Sequence, residues 1–225
     1  MIDPSVLVAA LRAVIPTIST DETRVHLNSL LLETVRNDTQ LRLVATDGHR
    51  LVAVDVDASI DRGGSVMLPL SAVKRLVRDV TVPRKRGALV DVELCASPDA
   101  RSLTVTQGPL MGATHACADP GVYKFPTYRD VIPTAFAGHI ARPSISARYL
   151  SEAADVFAEL TDRSDAVQVS VGASELDPIV MTSPAYDRAV VVVMPMRAGE
   201  NHNPGTVTNR FRESATDAIL ASAAE

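Results

Sequence analysis

An amphipathic helix followed by three strand-like runs recurs three times along this chain of 225 residues. That repeat restricts the fold more than any single motif, because one such unit cannot bury its own apolar face and must close a core against its neighbours. The first unit opens with Asp3 as a helix N-cap and Pro4 at the first helical position, a pairing suited to a helix start. Leu7, Ala10, Leu11, Val14 and Ile15 then share one helical face, and Pro16 ends it. Strand-like runs follow near 24–34, 40–46 and 50–57. The second unit has a short strand at 65–68 and a helix over about 70–81, with Val73, Leu76, Val77 and Val80 on its buried side. Its strands lie near 89–95, 102–107 and 111–118, and Val90, Val92 and Leu94 alternate with Asp91 and Glu93 as in a sheet with one wet face. The third unit has a helix at about 147–160, striped by Tyr149, Ala153, Val156, Phe157 and Leu160, and strands near 166–171, 178–183 and 187–194.

Helix followed by three strands, without parallel βαβ alternation, predicts an α+β fold with helices on one face of antiparallel sheets. The Pro-bearing connector at 124–133 separates the second and third units and reads as a domain boundary. The expected division is a complete domain at 1–130, a half-domain at 131–197, and a linker with a helical tail at 198–225. In that tail Phe211, Ala215 and Ile219 form one thin apolar stripe. Three units is an odd number. If two pair to close a two-layer core, the third keeps an open face and sheet edge, which predicts self-association.

Apolar residues make up 46% of the chain, enough for a sizeable core, while aromatics are only 4%, so that core must be aliphatic. Lys plus Arg total 22 against 27 Asp plus Glu, a formal charge of −5, so any nucleic-acid contact needs a local basic patch. Cys95 and Cys117 sit in strand-like runs and are expected to be buried free thiols, with neither a disulfide nor a metal site. Met1 leads straight into a helix and no apolar run nears membrane-spanning length, so a soluble cytoplasmic protein with no membrane partner is expected.

Residues 43–51, Leu-Val-Ala-Thr-Asp-Gly-His-Arg-Leu, run as a strand into a tight turn at Gly48. Residues 193–197, Val-Met-Pro-Met-Arg, end an apolar strand on two flexible thioethers around a proline. Brought together, the two segments would line an adaptable apolar groove with a few fixed polar groups, the makeup of a peptide-binding site rather than a catalytic one. His49 and Arg50 would offer hydrogen bonds to the peptide. Read alone, the residues favour the plainer alternative, a hairpin turn in the first segment with Met194 and Met196 as core filler.

Four segments together resemble the bacterial DNA polymerase III beta subunit, the sliding clamp. They are Arg24-Val25-His26-Leu27-Asn28 with Glu33; residues 43–51; Phe125-Pro126-Thr127-Tyr128-Arg129 with Val131-Ile132-Pro133; and residues 192–197. Their order and approximate spacing match that family. The resemblance implies a DNA-clamp fold, with residues 1 to about 130 like the clamp's middle domain and 134–197 like the second half of its C-terminal domain. The family's N-terminal domain and one half-domain have no counterpart, which suggests a truncated or phage-like member, and the tail after Arg197 is additional. Such clamps are head-to-tail rings around duplex DNA that bind polymerases and repair proteins through short peptides. Carried over residue by residue, the groove comprises Leu27, Thr46, Gly48, His49, Arg50, Leu51, Pro126, Val131, Val192, Met194, Pro195, Met196 and Arg197. One departure is Asp130 after Arg129, where family members often carry a second basic residue.

The implied partners are double-stranded DNA held loosely and without sequence preference, a DNA polymerase, other proteins with clamp-binding motifs, a clamp loader and further copies of the chain. Lys74, Arg75 and Arg78 lie opposite the apolar face of the second helix, followed by Arg84, Lys85 and Arg86. Such a patch can follow phosphates without reading bases, although a solvated helix face has the same pattern. The first helix adds Arg12 alone, and the third sets Arg148 against Glu152, Asp155 and Glu159. A clamp-like module that does not encircle DNA therefore stands as the alternative. Asp47, His49 and His26 are imaginable as acid–base or metal groups, but the chain has no nucleophile elbow, phosphate loop, HExxH or zinc-spaced cysteine pairs. No catalytic residue, metal or cofactor is expected.

Overall fold

The structure, a computed structural model, describes residues 1–35, 39–58, 64–80, 82, 92–108, 111–132, 143–162, 165–172 and 174–197. Met1–Pro195 forms one compact unit and Met196–Glu225 a second. In the second unit the described residues are Met196 and Arg197, both exposed, so the proposed tail helix and its stripe of Phe211, Ala215 and Ile219 lie outside the described residues.

In the first unit, α1 spans Pro4–Val14, α2 Leu70–Asp79 and α3 Ala147–Leu160. The strands are β1 (Ser29–Val35), β2 (Gln40–Thr46), β3 (Arg50–Asp57), β4 (Ser65–Pro69), β5 (Val92–Ala96), β6 (Ser102–Gln107), β7 (Met111–Ala116), β8 (Gln168–Ser170), β9 (Ile179–Ser183) and β10 (Tyr186–Val193). All pairings are antiparallel: a seven-stranded sheet in the order β4-β1-β2-β3-β10-β9-β8, and a three-stranded sheet β5-β6-β7. The α+β reading holds.

The start of α1 follows its sequence. The Asp3 carboxylate accepts from the backbone N–H groups of Ser5 at 2.7 Å and Val6 at 3.4 Å. The Ser5 hydroxyl also donates to it, and that bond first, then the two backbone bonds, holds the carboxyl below its ordinary value against the opposing effect of burial. A 3-10 turn at Ile15–Thr17 closes the helix around Pro16.

Strands of the large sheet carry near-continuous apolar runs because both faces are covered. Leu30, Leu32, Leu43, Val52, Val54, Val56, Val191 and Val193 join a core with Leu7, Leu11 and Val14 of α1 and with Val156 and Phe157 of α3. Intervening residues Leu31, Val44, Leu51, Ala53, Val180 and Val192 form a second cluster with Tyr128, packed by Phe125 and Ile132. The connector after β7 thus covers the sheet's other face. The third unit is not left apart, since β10 pairs with β3 and α3 packs on α1.

Two local expectations change. Residues 24–28, read as the start of a strand, form turns instead: the Arg24 carbonyl accepts from the N–H groups of both Leu27 and Asn28 at 2.8 Å, satisfying the backbone locally, and β1 begins at Ser29. Cys95 is exposed rather than buried, and Cys117 is only half-buried; both are free thiols. Cys95 has the odd parity of exposed Glu93, so it points to the wet face, opposite half-buried Leu94. Burial pushes the Cys117 thiol up to about 11.

Candidate functional site

The β2–β3 turn is built by short side chains that satisfy its backbone. Thr46 Oγ1 donates to the Arg50 carbonyl at 2.8 Å and accepts from the Gly48 N–H at 3.1 Å. Asp47 Oδ1 accepts from the N–H groups of His49 at 2.9 Å and Arg50 at 3.1 Å. Gly48 has φ +90°, a conformation that suits glycine. A Cβ there would meet Leu27 Cδ1 at 3.9 Å, an ordinary contact, so backbone conformation and not space selects the residue.

The second segment arrives through the sheet. Residues 189–193 of β10 run antiparallel to 54–50 of β3, and the Met194 N–H donates to the His49 carbonyl at 2.9 Å, one step beyond the ladder. The structure therefore sets the turn and the start of the Val-Met-Pro-Met run side by side. Thr46, Leu51 and Val192 are buried beneath them, as is Leu27 beside Gly48, while Met194 is 37% exposed. Pro126 is half-buried and Val131 is 41% exposed, on the connector whose Phe125, Tyr128 and Ile132 pack into the cluster containing Leu51 and Val192. Pro195 is half-buried and closes the first unit; Met196 is 54% exposed.

Arg50 has a different place from the one its motif suggests. Its side chain is 3% exposed and turns inward. Nε donates to Asp47 Oδ2 at 3.1 Å, Nη1 to Glu152 Oε2, and Nη2 to the Pro16 carbonyl at 2.6 Å. Its guanidinium carbon also lies 5.0 Å from the centre of the Tyr149 ring. A buried cation needs such partners, and these bonds turn the Arg50 guanidinium into the protein, whereas His49 is exposed and stacks on Tyr149 at 6.1 Å between centroids.

A polar network that sequence reasoning did not find pins the connector. Arg42 makes a bidentate pair with Asp55 at 2.6 and 2.8 Å and donates to the Tyr128 hydroxyl at 3.3 Å. The Tyr128 hydroxyl donates to Glu33 Oε1, which also accepts from Arg129 at 2.7 Å. Burial raises the Tyr128 phenol pKa, opposed by Arg42. Arg129 lies 4.7 Å above the Tyr128 ring. Glu33 and Tyr128 were within the resemblance motifs, but the cross-strand register of Arg42 and Asp55 is a sheet property. Beside this network lies a pocket of about 450 Å³, whose lining includes Leu31, Met67, Tyr123, Phe125 and Arg129.

On α2, Lys74, Arg75 and Arg78 are exposed while Val73 and Leu76 are buried, as the helical period requires. Arg12 of α1 is exposed too; Arg84, Lys85 and Arg86 lie outside the described residues. On α3, Arg148 is paired with Glu152 at 3.0 Å. Asp79, at the end of α2, lies 3.2 Å from Nε2 of buried His115, close enough for an ion pair but without hydrogen-bond alignment. Asp47, held by backbone N–H groups and Arg50, is a turn-former rather than an exposed acid. No group of three or more His, Cys, Asp or Glu side chains suited to a metal ion occurs among the described residues. No helix among them is long and apolar enough to cross a membrane.

Comparison with known proteins agrees with this fold. Residues 1–98 match the family model for the central domain of the DNA polymerase III beta subunit. The beta sliding clamp of Caulobacter vibrioides is 30% identical over 188 residues, covering 81% of this chain and 43% of its own length. Solved sliding-clamp structures share the fold: the Pseudomonas aeruginosa DNA polymerase III beta subunit superposes with a TM-score of 0.69 at 21% identity, covering 88% of this chain and 65% of that one. The Thermotoga maritima beta subunit gives 0.68 at 19% identity over the same shares. The chain thus spans less than half the length of the curated relative it matches. Residues 1–98 thus match a DNA polymerase III beta subunit central domain, and over 81% of its length the chain is similar to a beta sliding clamp.

Proposed function

We propose that this chain is a sliding-clamp-like processivity factor that self-associates around duplex DNA and holds a DNA polymerase or repair protein through a peptide groove at the β2–β3 turn. The observation that supports the reading is the hydrogen bond from the Met194 N–H to the His49 carbonyl, which brings two sequence-distant segments side by side. Exposed Met194 over buried Leu51 and Val192 supplies adaptable apolar contact, and His49 supplies a polar group. The sequence motif continues through Met196 and Arg197. Replacing both Met194 and Met196 by Ala is expected to abolish binding of a peptide with leucine and phenylalanine anchors while the fold persists. Undiminished binding would refute the groove.

DNA contact is proposed through Lys74, Arg75 and Arg78, with Arg12 and the 84–86 basic run. Their role is sequence-independent attraction to phosphates. Self-association finds support in β8, a three-residue strand ending the large sheet with Val169 54% exposed. A clamp loader would be a further partner of a closed ring. Mass measurement in solution, with retention on circular against linear duplex DNA, tests the ring. A stable monomer with no topological retention would refute it.

One observation favours a second reading. The exposed face of α3 carries Asp155 and Glu159, and its Arg148 is already paired with Glu152. A helix face of that sign repels phosphates, as expected of a clamp-like module that presents or sequesters clamp-binding peptides without encircling DNA. The two readings share the groove and differ in assembly.

A further inference from the structure

The first and third repeats are related across the β3–β10 ladder by an approximate two-fold. Leu31, Val44 and Ala53 lie side by side across β1, β2 and β3, and Ser170, Val180 and Val192 do the same across β8, β9 and β10. β8 thus holds in the third repeat the place that β1 holds in the first. The first repeat has both sides covered: β3 meets β10, and β1 meets β4, the strand that runs straight into α2. The third repeat has one side covered, through β10. Among the described residues no strand lies beyond β8, and its Val169 is exposed, whereas the equivalent Leu30 is fully buried opposite Leu68 of β4. Val167, on the same side of the chain as Val169, packs against the helix-side core. The helix above leaves this end open too. Tyr149 and Glu152 of α3 turn toward Arg50 and the end of α1. Leu150, Ala154 and Ala158 recur at four-residue spacing on the opposite flank, away from α1, and Leu150 is exposed. That flank carries no charge, so it can meet a copy of itself without bringing like charges together.

We propose that the β8 side of the third repeat is a two-fold contact with the third repeat of a second copy, each copy laying residues 144–146 antiparallel along the other's β8. The register follows from β1 and β4. Leu31 pairs with Met67, three residues before the start of α2 at Leu70, and Ser144 stands three residues before the start of α3 at Ala147. Ser170 therefore faces Ser144 of the second copy, and Val169 faces its Ile145, as Leu30 faces Leu68. Ile145 already packs against the helix-side core, so the new pair extends that core across the contact. A second copy fits because a two-fold supplies the same side twice, which is what one uncovered side of this kind requires. The second repeat cannot serve, since its helix-leading strand β4 is already paired with β1. This contact rests on the self-association reading and gives it a geometry other than the head-to-tail one that the sequence resemblance implies. It closes on itself, so taken alone it makes a dimer.

The test uses the full chain with Cys95→Ser, so that the exposed thiol does not compete. Val169→Cys and Ile145→Cys are made in separate proteins, which are then mixed under mild oxidation. The expected result is a disulfide between the two in the mixture, mapped by mass spectrometry, and none when either variant is oxidised alone. Sedimentation of Val169→Lys, with its fold checked by thermal unfolding, is expected to show the dimer weakened about tenfold or more, while Val169→Thr keeps a β-branched edge and retains it. If Ile145→Cys does not fold, the Val169 pair decides. Suppose the chain associates, but the mixed variants do not link and Val169→Lys leaves its mass unchanged: this contact is then overturned, and self-association stands on another surface. A chain that is monomeric at every concentration overturns both this contact and the self-association reading.

Discussion

The two sheets bury their strands in different ways. In the seven-stranded sheet, even-numbered Leu30 and Leu32 meet the helices while Leu31 between them meets the connector, and β2, β3 and β10 repeat the pattern. In the three-stranded sheet only one face is covered: Leu103 and Val105 are buried, whereas Thr104 pairs with Thr114 in the open at 3.2 Å, beside exposed Cys95. The candidate groove grows from the doubly covered sheet. A turn whose strands are packed on both sides holds its side chains in place, and a site needs that constancy more than it needs loop freedom. The one-faced sheet offers α2 a floor, with His115 of β7 facing Asp79.

The contrast can be broken most sharply by truncation. Leu43→Ala, at a fully buried position of β2, is expected to cost about 2–5 kcal/mol in denaturant unfolding, while Thr104→Ala on the wet face of β6 should stay within about 0.5 kcal/mol. Comparable losses would erase the distinction between the sheets. Gly48→Ala should cost about 1–2 kcal/mol through backbone conformation alone, since no atom obstructs the added methyl. A neutral Gly48→Ala in chemical denaturation would show that the turn has another accessible shape.

Asp3→Ala should remove about 1 kcal/mol by uncapping α1, the helix that covers the large sheet. Because the folded carboxyl is held below its ordinary value, the cap's electrostatic contribution is present above the unfolded-state pKa and is lost as pH falls through the acid range below about 4. Stability profiles of the two proteins should therefore converge in acid. The smallest perturbation is chemical: at pH 8 an alkylating reagent should modify exposed Cys95 readily, and Cys117 slowly while folded, because its thiol is raised to about 11. Equal rates read by mass spectrometry would place Cys117 on an open surface.

What the residue order determined by itself is local. The spacing of Leu7, Leu11 and Val14, the Asp3–Pro4 start, the α3 stripe and the hairpin around Gly48 are written in runs of neighbouring residues, where helical and strand periods act directly. The resemblance added which distant segments belong together. Tertiary structure decided the rest. Arg50 stands next to His49 in the chain but turns inward, because Glu152, Pro16 and Tyr149 converge on it from α3 and the end of α1. Arg42 became part of the connector's anchor only once β2 and β3 set it opposite Asp55 and Tyr128 crossed the sheet. Period and propensity report which way a side chain faces relative to its own element. Which partner waits there depends on how elements pack, and for a buried charge the partner decides what the residue does.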